Sequence, residues 1–310
     1  MKKLFWIFIA SPVLFSARIW AQETVKDTVF LIPFADTVLL DEVVVKAHKT
    51  IPMNNRWSDL QPVDLVTVAG ANGNLYKALE TLPGTQIQGE SGRLLVRGGS
   101  SDETQTYIDG MHVLNPDTST AENIPARGRY SPFMFSGINL STGGHSQEYG
   151  EALSAVLPLE TKDNSRINKV GISPSTVGIG GGGNHAFRNA SLALNLDYQN
   201  LALYNKVYPG RIDFKKPYQM FSGATQFRYT PSGSSVFKIY VGYDRTDHSN
   251  YTDNNRYLFC LGENNVYLNS TFRTAISGGW EWFSGMAYSL FDRKVDGAVT
   301  EGDHWGEKQA

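Results

Sequence analysis

The chain has 310 residues, a formal net charge of −2, 30 glycines and an aromatic content of 12%. Nucleic-acid-binding proteins carry clustered positive charge, so this balance argues against a nucleic-acid partner. The single cysteine, Cys260, excludes an internal disulfide and a zinc site built from cysteines. The many aromatic residues and glycines favour a β-rich protein with many turns.

The N-terminus has the features of an export signal. Lys2 and Lys3 precede an apolar segment over residues 4–15, and Ala21 is a small residue before the expected cleavage point. We therefore predict a signal peptide over residues 1–21, because its apolar segment is shorter than the ~20 residues of a membrane-spanning helix. No later stretch of the sequence approaches that length, so the mature chain would meet a membrane only through β-strands.

Residues 22–62 are predicted to form a tail. Three consecutive valines at 43–45 favour a strand, although their neighbours are polar and no turn follows them. Such a strand would either pair with another chain by β-augmentation or form the first strand of the next domain. Residues 49–62, which include Pro52 and Pro62, are typical of an irregular linker.

Residues 63–162 have the pattern of a small α+β domain. The apolar residues of segment 75–82 have the i, i+3, i+4, i+7 spacing of one helix face. An asparagine precedes this segment as a cap, and Pro83-Gly84 ends it. Short strands are predicted to follow near residues 85–88, 93–97, 104–109, 111–114, 138–141 and 156–161.

Two tight turns divide the central β-unit of this domain. Gly98 and Gly99 end a short apolar run, and Asp109-Gly110 is a strong hairpin signal. The six histidines are scattered, and the sequence has no GxSxG, HExxH or phosphate-loop motif. The sequence therefore favours a protein that is not an enzyme and that has no cofactor or metal site.

The motifs occur in a characteristic order. LDEVVVKA, LYKALETLPGTQI, LLVRGGSSDETQTYIDGMHVLNP and FSGINLSTGGHSQEYGEALSAVLPLETKD follow the predicted signal peptide, and aromatic strands come after them. This order resembles a TonB-dependent outer-membrane receptor of the Bacteroidetes type, with similarity to the plug domain over roughly residues 40–162. The resemblance implies that the valine run is the TonB box, the strand that the inner-membrane energy transducer TonB grips. The box-like residues are Asp41, Glu42, Val43, Val44, Val45, Lys46 and Ala47.

The resemblance also implies roles within the plug. Plug arginines in this family can pair with barrel glutamates, so Arg97 is a candidate plug latch whose carboxylate partners would lie on later strands. The alternative is an exposed arginine at the turn formed by Gly98 and Gly99. Ligand contacts are expected from residues 115–132 and from the extracellular loops.

Residues 163–310 alternate apolar and polar side chains with a period of two, as the strands of a membrane barrel do. In segment 237–244, for example, the two faces would be an outward one and an inward one. The outward face would hold Phe237, Ile239, Val241 and Tyr243, and the inward face would hold Lys238, Tyr240, Gly242 and Asp244. A soluble β-sandwich would alternate in the same way, so the pattern alone leaves both architectures open. About seven strands are predicted, near residues 166–173, 176–182, 187–199, 219–230, 236–248, 263–275 and 278–291.

The resemblance places the start of the first strand at the periplasmic side. Residues 231–235 are the clearest short periplasmic turn, so an even number of strands should precede them. This parity requires a tight extracellular turn at Pro174-Ser175 and a periplasmic bend at residues 180–183. Extracellular loops are then expected at residues 200–218, 249–262 and 292–310.

Seven strands cannot close a membrane barrel. Known bacterial barrels begin at ~8 strands, and those that enclose a plug have ~22. Unpaired strand edges are not tolerated in lipid, because their peptide groups have no hydrogen-bond partner there. We therefore expect an α+β plug domain followed by an incomplete antiparallel transmembrane β-barrel, in a chain that is truncated or part of a longer receptor.

The resemblance implies energised uptake of an extracellular ligand at the cell outer membrane. The expected partners are TonB, outer-membrane lipid and a ligand that would be a siderophore, cobalamin, a glycan or a peptide. Energy would come from the TonB complex, so no nucleotide or other cofactor is implied. The alternative is a secreted or surface β-rich binding module without transport activity.

Overall fold

A computed structural model describes residues 57–60, 68, 71, 74–120, 124–162, 168–208, 213–252, 257–276, 278–299 and 304–309. The predicted signal peptide and the TonB-box-like residues 41–47 lie outside this part of the chain. Within it, no helix is both long enough and apolar enough to cross a membrane.

The N-terminal domain, which comprises the described residues from 57 to 162, contains a mixed five-stranded sheet in the order β1-β6-β7-β4-β5. β4 and β7 run parallel, whereas the other neighbouring strands are antiparallel. A separate hairpin, β2–β3, and one short helix complete the domain. The elements are β1 (Trp57–Leu60), α1 (Leu75–Leu79), β2 (Thr85–Ile87), β3 (Leu94–Val96), β4 (Thr104–Ile108), β5 (Met111–Val113), β6 (Phe135–Ser141) and β7 (Ala155–Thr161).

The core of this domain follows from the apolar face of α1. Leu75, Ala78 and Leu79 are buried, and the Asn74 side chain caps the helix by accepting a hydrogen bond from the Tyr76 backbone N at 3.1 Å. The helix ends earlier than its apolar pattern suggests, because residues 80–84 form turns instead of a further helical turn. The same cluster includes buried apolar residues of β3, β4, β6 and β7.

The interpretation of residues 49–62 as an irregular linker is wrong for β1. The backbone of this strand pairs antiparallel with β6, with Trp57 opposite Ser141. The two segments lie far apart in the chain, so no local pattern of residues indicates that they pair. β1 is an edge strand of the five-stranded sheet.

The second sheet contains eight antiparallel strands in sequential order, and we call it the long sheet. Its strands are β8 (Lys169–Ser175), β9 (Gly178–Ala186), β10 (Ala190–Asn200), β11 (Phe214–Ser232), β12 (Ser235–Thr252), β13 (Tyr257–Ala275), β14 (Glu281–Val299) and β15 (His304–Gln309), with α2 (Ala202–Val207) between β10 and β11. The seven predicted strands are all present, and β15 is added to them. Across the described residues the sheet is open, with β8 and β15 at its edges.

The predicted alternation of side chains is confirmed in the long sheet. Tyr240 and Tyr267 face the N-terminal domain and are at most 1% exposed, whereas Leu192, Leu194 and Leu196 lie on the opposite face and are 43–46% exposed. We call these the inner and outer faces. The inner face joins the core of the N-terminal domain, because Tyr240 and Tyr267 belong to the same apolar cluster.

Four strands of the long sheet, β8 to β11, precede the short turn at residues 233–234, which confirms the predicted even number. The expected loops are too long, however. β11 and β14 each contain 19 residues, and residues 292–310 include the end of β14 and all of β15. Backbone pairing continues past the apolar stretches from which the strand limits were predicted.

The predicted bend at residues 180–183 is wrong, because these glycines lie inside β9 and pair with both β8 and β10. Glycine is needed there for close approach of neighbouring strands: a Cβ at Gly182 would lie 2.6 Å from the Leu194 carbonyl oxygen. The turn between β8 and β9 is at residues 176–177, and Pro174-Ser175 are the last residues of the edge strand β8 instead of a turn.

These contacts predict different effects for two glycines that face each other. Gly182→Ala should lower the free energy of unfolding by about 1–3 kcal/mol, because its Cβ would meet a backbone oxygen that moves only with its strand. The matched control is Gly171→Ala, directly opposite on β8, where a Cβ would meet nothing within 4 Å. Thermal unfolding in detergent, followed by circular dichroism, measures both. Equal destabilisation by the two substitutions would contradict the strand assignment.

Candidate functional site

The candidate site lies where the loop over residues 114–131 meets the inner face of the long sheet. Arg129 on this loop is buried, and its guanidinium forms ion pairs with Asp244 on β12 and with Glu263 on β13. Arg129 Nη2 donates to Glu263 Oε1 at 3.1 Å, and Nη1 donates to Asp244 Oδ2. The guanidinium also lies over the ring of Phe291, 5.4 Å from its centroid.

The loop holds Arg129 in position through its own backbone. Arg129 N donates to the Pro116 carbonyl oxygen at 3.0 Å, and Thr118 N donates to the Arg127 carbonyl oxygen at 2.9 Å. Arg93 forms an ion pair with Asp117, with Nε 3.1 Å from Oδ2, which ties the base of the loop to the rest of the N-terminal domain. The loop is therefore closed on itself and presents Arg129 at a defined place on the sheet.

One donor on the sheet and one on the loop complement the two carboxylates. Asn265 Nδ2 donates to Asp244 Oδ1 at 3.1 Å, and Ser119 N lies 3.3 Å from both oxygens of Glu263. Burial alone would lower the pKa of Arg129, but the charges of Asp244 and Glu263 outweigh it and raise the pKa above its ordinary value. Arg129 therefore stays charged, as a buried guanidinium with two carboxylate partners should.

A second contact joins the two sheets at the β4–β5 turn. Asp109 Oδ1 accepts hydrogen bonds from Thr161 N at 3.1 Å and from Lys238 Nζ on β12 at 2.8 Å. Asp109 Oδ2 accepts from Thr161 Oγ1 at 2.6 Å. Asp109 and Gly110 form the turn itself, with φ values of 50° and 83°. The same aspartate thus shapes a turn and binds the long sheet.

Amides and hydroxyls of the inner face bind backbone atoms of the N-terminal domain. Asn269 Nδ2 donates to the Ile108 carbonyl oxygen at 3.0 Å, and Gln226 Nε2 donates to the Lys162 carbonyl oxygen at 2.7 Å. The Tyr267 hydroxyl lies 3.4 Å from the carbonyl oxygens of the first two residues of β5, Met111 and His112. The inner face therefore supplies hydrogen bonds to the domain in addition to the apolar contacts of Tyr240 and Tyr267.

Arg97, the predicted latch, occupies a different place. It is exposed, has a φ of 51°, and its backbone N donates to the Gly84 carbonyl oxygen at 2.7 Å. No carboxylate in the described part of the chain lies within ion-pair distance of it, so the latch role of Arg97 stays a prediction. Gly98 and Gly99 follow it, and Gly98 has a φ of 79°.

Sequence reasoning missed Arg129, which lies in the stretch predicted to contact ligand. A polar loop gives no local indication that one of its arginines is buried. The available signal was on the other side of the interface, because the alternation of β12 already placed Asp244 on the inner face. A carboxylate buried there requires a cationic partner, which the N-terminal domain packed against the inner face has to supply.

Comparisons with known proteins agree with this arrangement. Residues 64–156 match the family model of the TonB-dependent Receptor Plug Domain. None of the curated proteins matches the sequence. The fold is that of a plug domain followed by antiparallel strands, as in an incomplete TonB-dependent receptor barrel.

Three solved structures illustrate the likeness of fold. The copper transporter OprC has a TM-score of 0.57 at 12% identity, over 78% of this chain and 38% of that one. The outer membrane transporter YddB from Escherichia coli has a TM-score of 0.57 at 12% identity, over 81% and 42%. The Serratia marcescens hemophore receptor HasR, in complex with HasA and heme, has a TM-score of 0.55 at 14% identity, over 79% of this chain and 38% of that one. The chain thus spans about two fifths of their length.

The buried ion pairs predict a large effect at Arg129. Arg129→Met should lower the free energy of unfolding by about 3–5 kcal/mol, because it leaves Asp244 and Glu263 buried without this cation. The matched control is Arg273→Met, which removes an exposed ion pair to Glu281 and should cost less than about 1 kcal/mol. Urea unfolding of the full chain in detergent measures both values. A loss at Arg129 no larger than that at Arg273 would contradict the proposed importance of the buried pairs.

Proposed function

We propose that this chain forms the plug and the first barrel strands of a TonB-dependent outer-membrane receptor of the Bacteroidetes type, which takes up an extracellular ligand. One observation carries the proposal: a plug domain is bound through buried ion pairs to the inner face of a sheet whose outer face is apolar. A plug inside a lipid-facing wall needs both features.

The outer face supports a location in the outer membrane. Leu192, Leu196, Met286 and Leu290 are each at least 43% exposed and extend the apolar surface from β10 to β14. Soluble monomers rarely expose a contiguous apolar surface of this kind, whereas lipid would cover it. The strands of 18 or 19 residues from β11 to β14 exceed the ~9–11 residues that cross a bilayer, which leaves their ends for water.

Transport would begin at the N-terminal tail, after the signal peptide has been removed. TonB would pair with residues 41–47 by β-augmentation, in which backbone hydrogen bonds supply the affinity. A pull on this segment reaches the plug first through β1, which is held in the sheet only by β6. The loop over residues 114–131 would contact a siderophore, cobalamin, glycan or peptide on the extracellular side. Energy comes from the TonB complex, so the chain itself uses no cofactor.

The box assignment predicts the behaviour of two substitutions at one position. Val44→Pro should weaken binding of the periplasmic domain of TonB at least tenfold, because proline removes a backbone donor and cannot sit in a paired strand. Val44→Thr keeps a β-branched strand former and should bind nearly as the parent does. Isothermal titration of the full chain in detergent with purified TonB domain measures both affinities. Equal binding by the proline and threonine variants would place the box elsewhere.

Cell fractionation separates the proposed receptor from a secreted or surface binding module. We expect the protein, produced from its own gene in its own bacterium, to sediment with the outer membrane and to resist extraction by alkaline carbonate. An integral strand protein stays with lipid because its outer face has no other partner. Recovery in the soluble periplasm or the culture medium would refute the receptor and favour the binding module.

A further inference from the structure

Polar residues form one row across the inner face of the long sheet. Asp197 on β10 lies directly opposite Ser222 on β11, Ser222 opposite Asp244 on β12, and Asp244 opposite Asn265 on β13. Arg129 binds this row at Asp244. Adjacent strands are ~4.8 Å apart, so the backbones of Asp197 and Asp244 lie roughly 10 Å apart along the row.

Asp197 is the second carboxylate in this row. It is half-buried, and its Oδ2 accepts a hydrogen bond from Asn195 Nδ2 at 2.5 Å. No lysine or arginine of the described residues lies within ion-pair distance of Asp197. Gly180, directly opposite on β9, makes room for the carboxylate, since a Cβ there would lie 2.2 Å from Asp197 Oδ1. The sheet thus holds a half-buried carboxylate beside which the described part of the chain places no lysine or arginine.

A cleft connects this carboxylate to Arg129. Its lining includes Arg129, Asp197, Ser222 and Asp244. The loop that carries Arg129 already reaches across the cleft, because the Ser131 hydroxyl donates to Asn195 Oδ1 on β10 at 2.8 Å. The guanidinium and the second carboxylate therefore line the same cleft.

We propose that Asp197 is a second anchor for Arg129, to which the guanidinium transfers when the plug moves sideways along the sheet. Asp244 and Glu263 together form the present anchor, and a buried guanidinium that left them without reaching another carboxylate would be strongly unfavourable. A second carboxylate in the same row, with the Ser222 hydroxyl between the two, lets Arg129 exchange partners while it remains hydrogen-bonded. The role of this exchange in plug movement rests on the proposed function. The exchange of Arg129 between carboxylates depends only on the row of polar residues.

The test is a double-mutant cycle on the local opening of the loop. Amide hydrogen exchange of residues 124–131, measured by mass spectrometry on the full chain in detergent micelles, gives an opening constant for each variant. Asp197→Asn alone should change this constant less than threefold, because Arg129 keeps Asp244. Asp244→Asn alone should raise it only in part, because Glu263 keeps its ion pair with Arg129 and Asp197 then accepts the freed side of the guanidinium.

The double variant Asp197→Asn/Asp244→Asn should open at least about tenfold more than the product of the two single effects, which corresponds to a coupling of about 1.4 kcal/mol. The matched control combines Asp244→Asn with Asp247→Asn, since Asp247 lies on the same strand and binds the exposed Lys216. In the control pair, the opening constant of the double variant should equal the product of the two single effects. A multiplicative result for Asp197 and Asp244, or equal coupling in the control pair, would overturn the proposal.

A third variant keeps the test decisive if the double variant does not fold. Asp197→Glu in the Asp244→Asn background should lower the opening constant at least threefold, because the longer side chain reaches further toward Arg129. An unchanged or higher constant would overturn the second anchor. All these measurements use isolated protein, so a soluble location would refute the receptor without affecting the outcome of the cycle.

Discussion

The arrangement of the two sheets depends on one constraint, the burial of the Arg129 charge. A guanidinium removed from water needs carboxylate partners in good geometry, and Asp244 and Glu263 supply them from two neighbouring strands. Because these partners lie on the inner face, the loop over residues 114–131 has one favourable position along β12 and β13. The register of the long sheet therefore determines where the plug loop lies.

The contacts of the plug are unevenly distributed over its sheet. β4 and the β4–β5 turn bind the wall through Asp109, Lys238 and Asn269. β1 lies at the opposite edge of the five-stranded sheet and pairs only with β6. Force applied to the N-terminal tail would therefore reach this edge strand first, while the contacts around Asp109 still hold the remainder of the sheet against the wall.

The sequence predicted those features that depend on local periodicity and turn chemistry. The α1 face, five strands of the long sheet and the position of Asp244 on the face opposite Phe237 followed from spacing, whereas the first two strands of the sheet required the parity that the resemblance implies. The β1–β6 pairing and the Arg129 ion pairs join segments far apart in the chain, so no local pattern could reveal them. The glycines at 180–183 were misinterpreted because glycine serves both turns and close strand packing, and only the neighbouring backbone distinguishes the two.

The hydrogen bonds of the interface suit the plug movement that the proposed function requires. Asn269, Gln226 and Lys238 hold the plug through hydrogen bonds whose net contribution is modest, because water can replace each of them. An apolar interface of the same extent would oppose separation in proportion to its area, because water does not replace apolar contacts. Beside the apolar contacts of Tyr240 and Tyr267, these hydrogen bonds can make the position of the plug specific and still be exchanged for water.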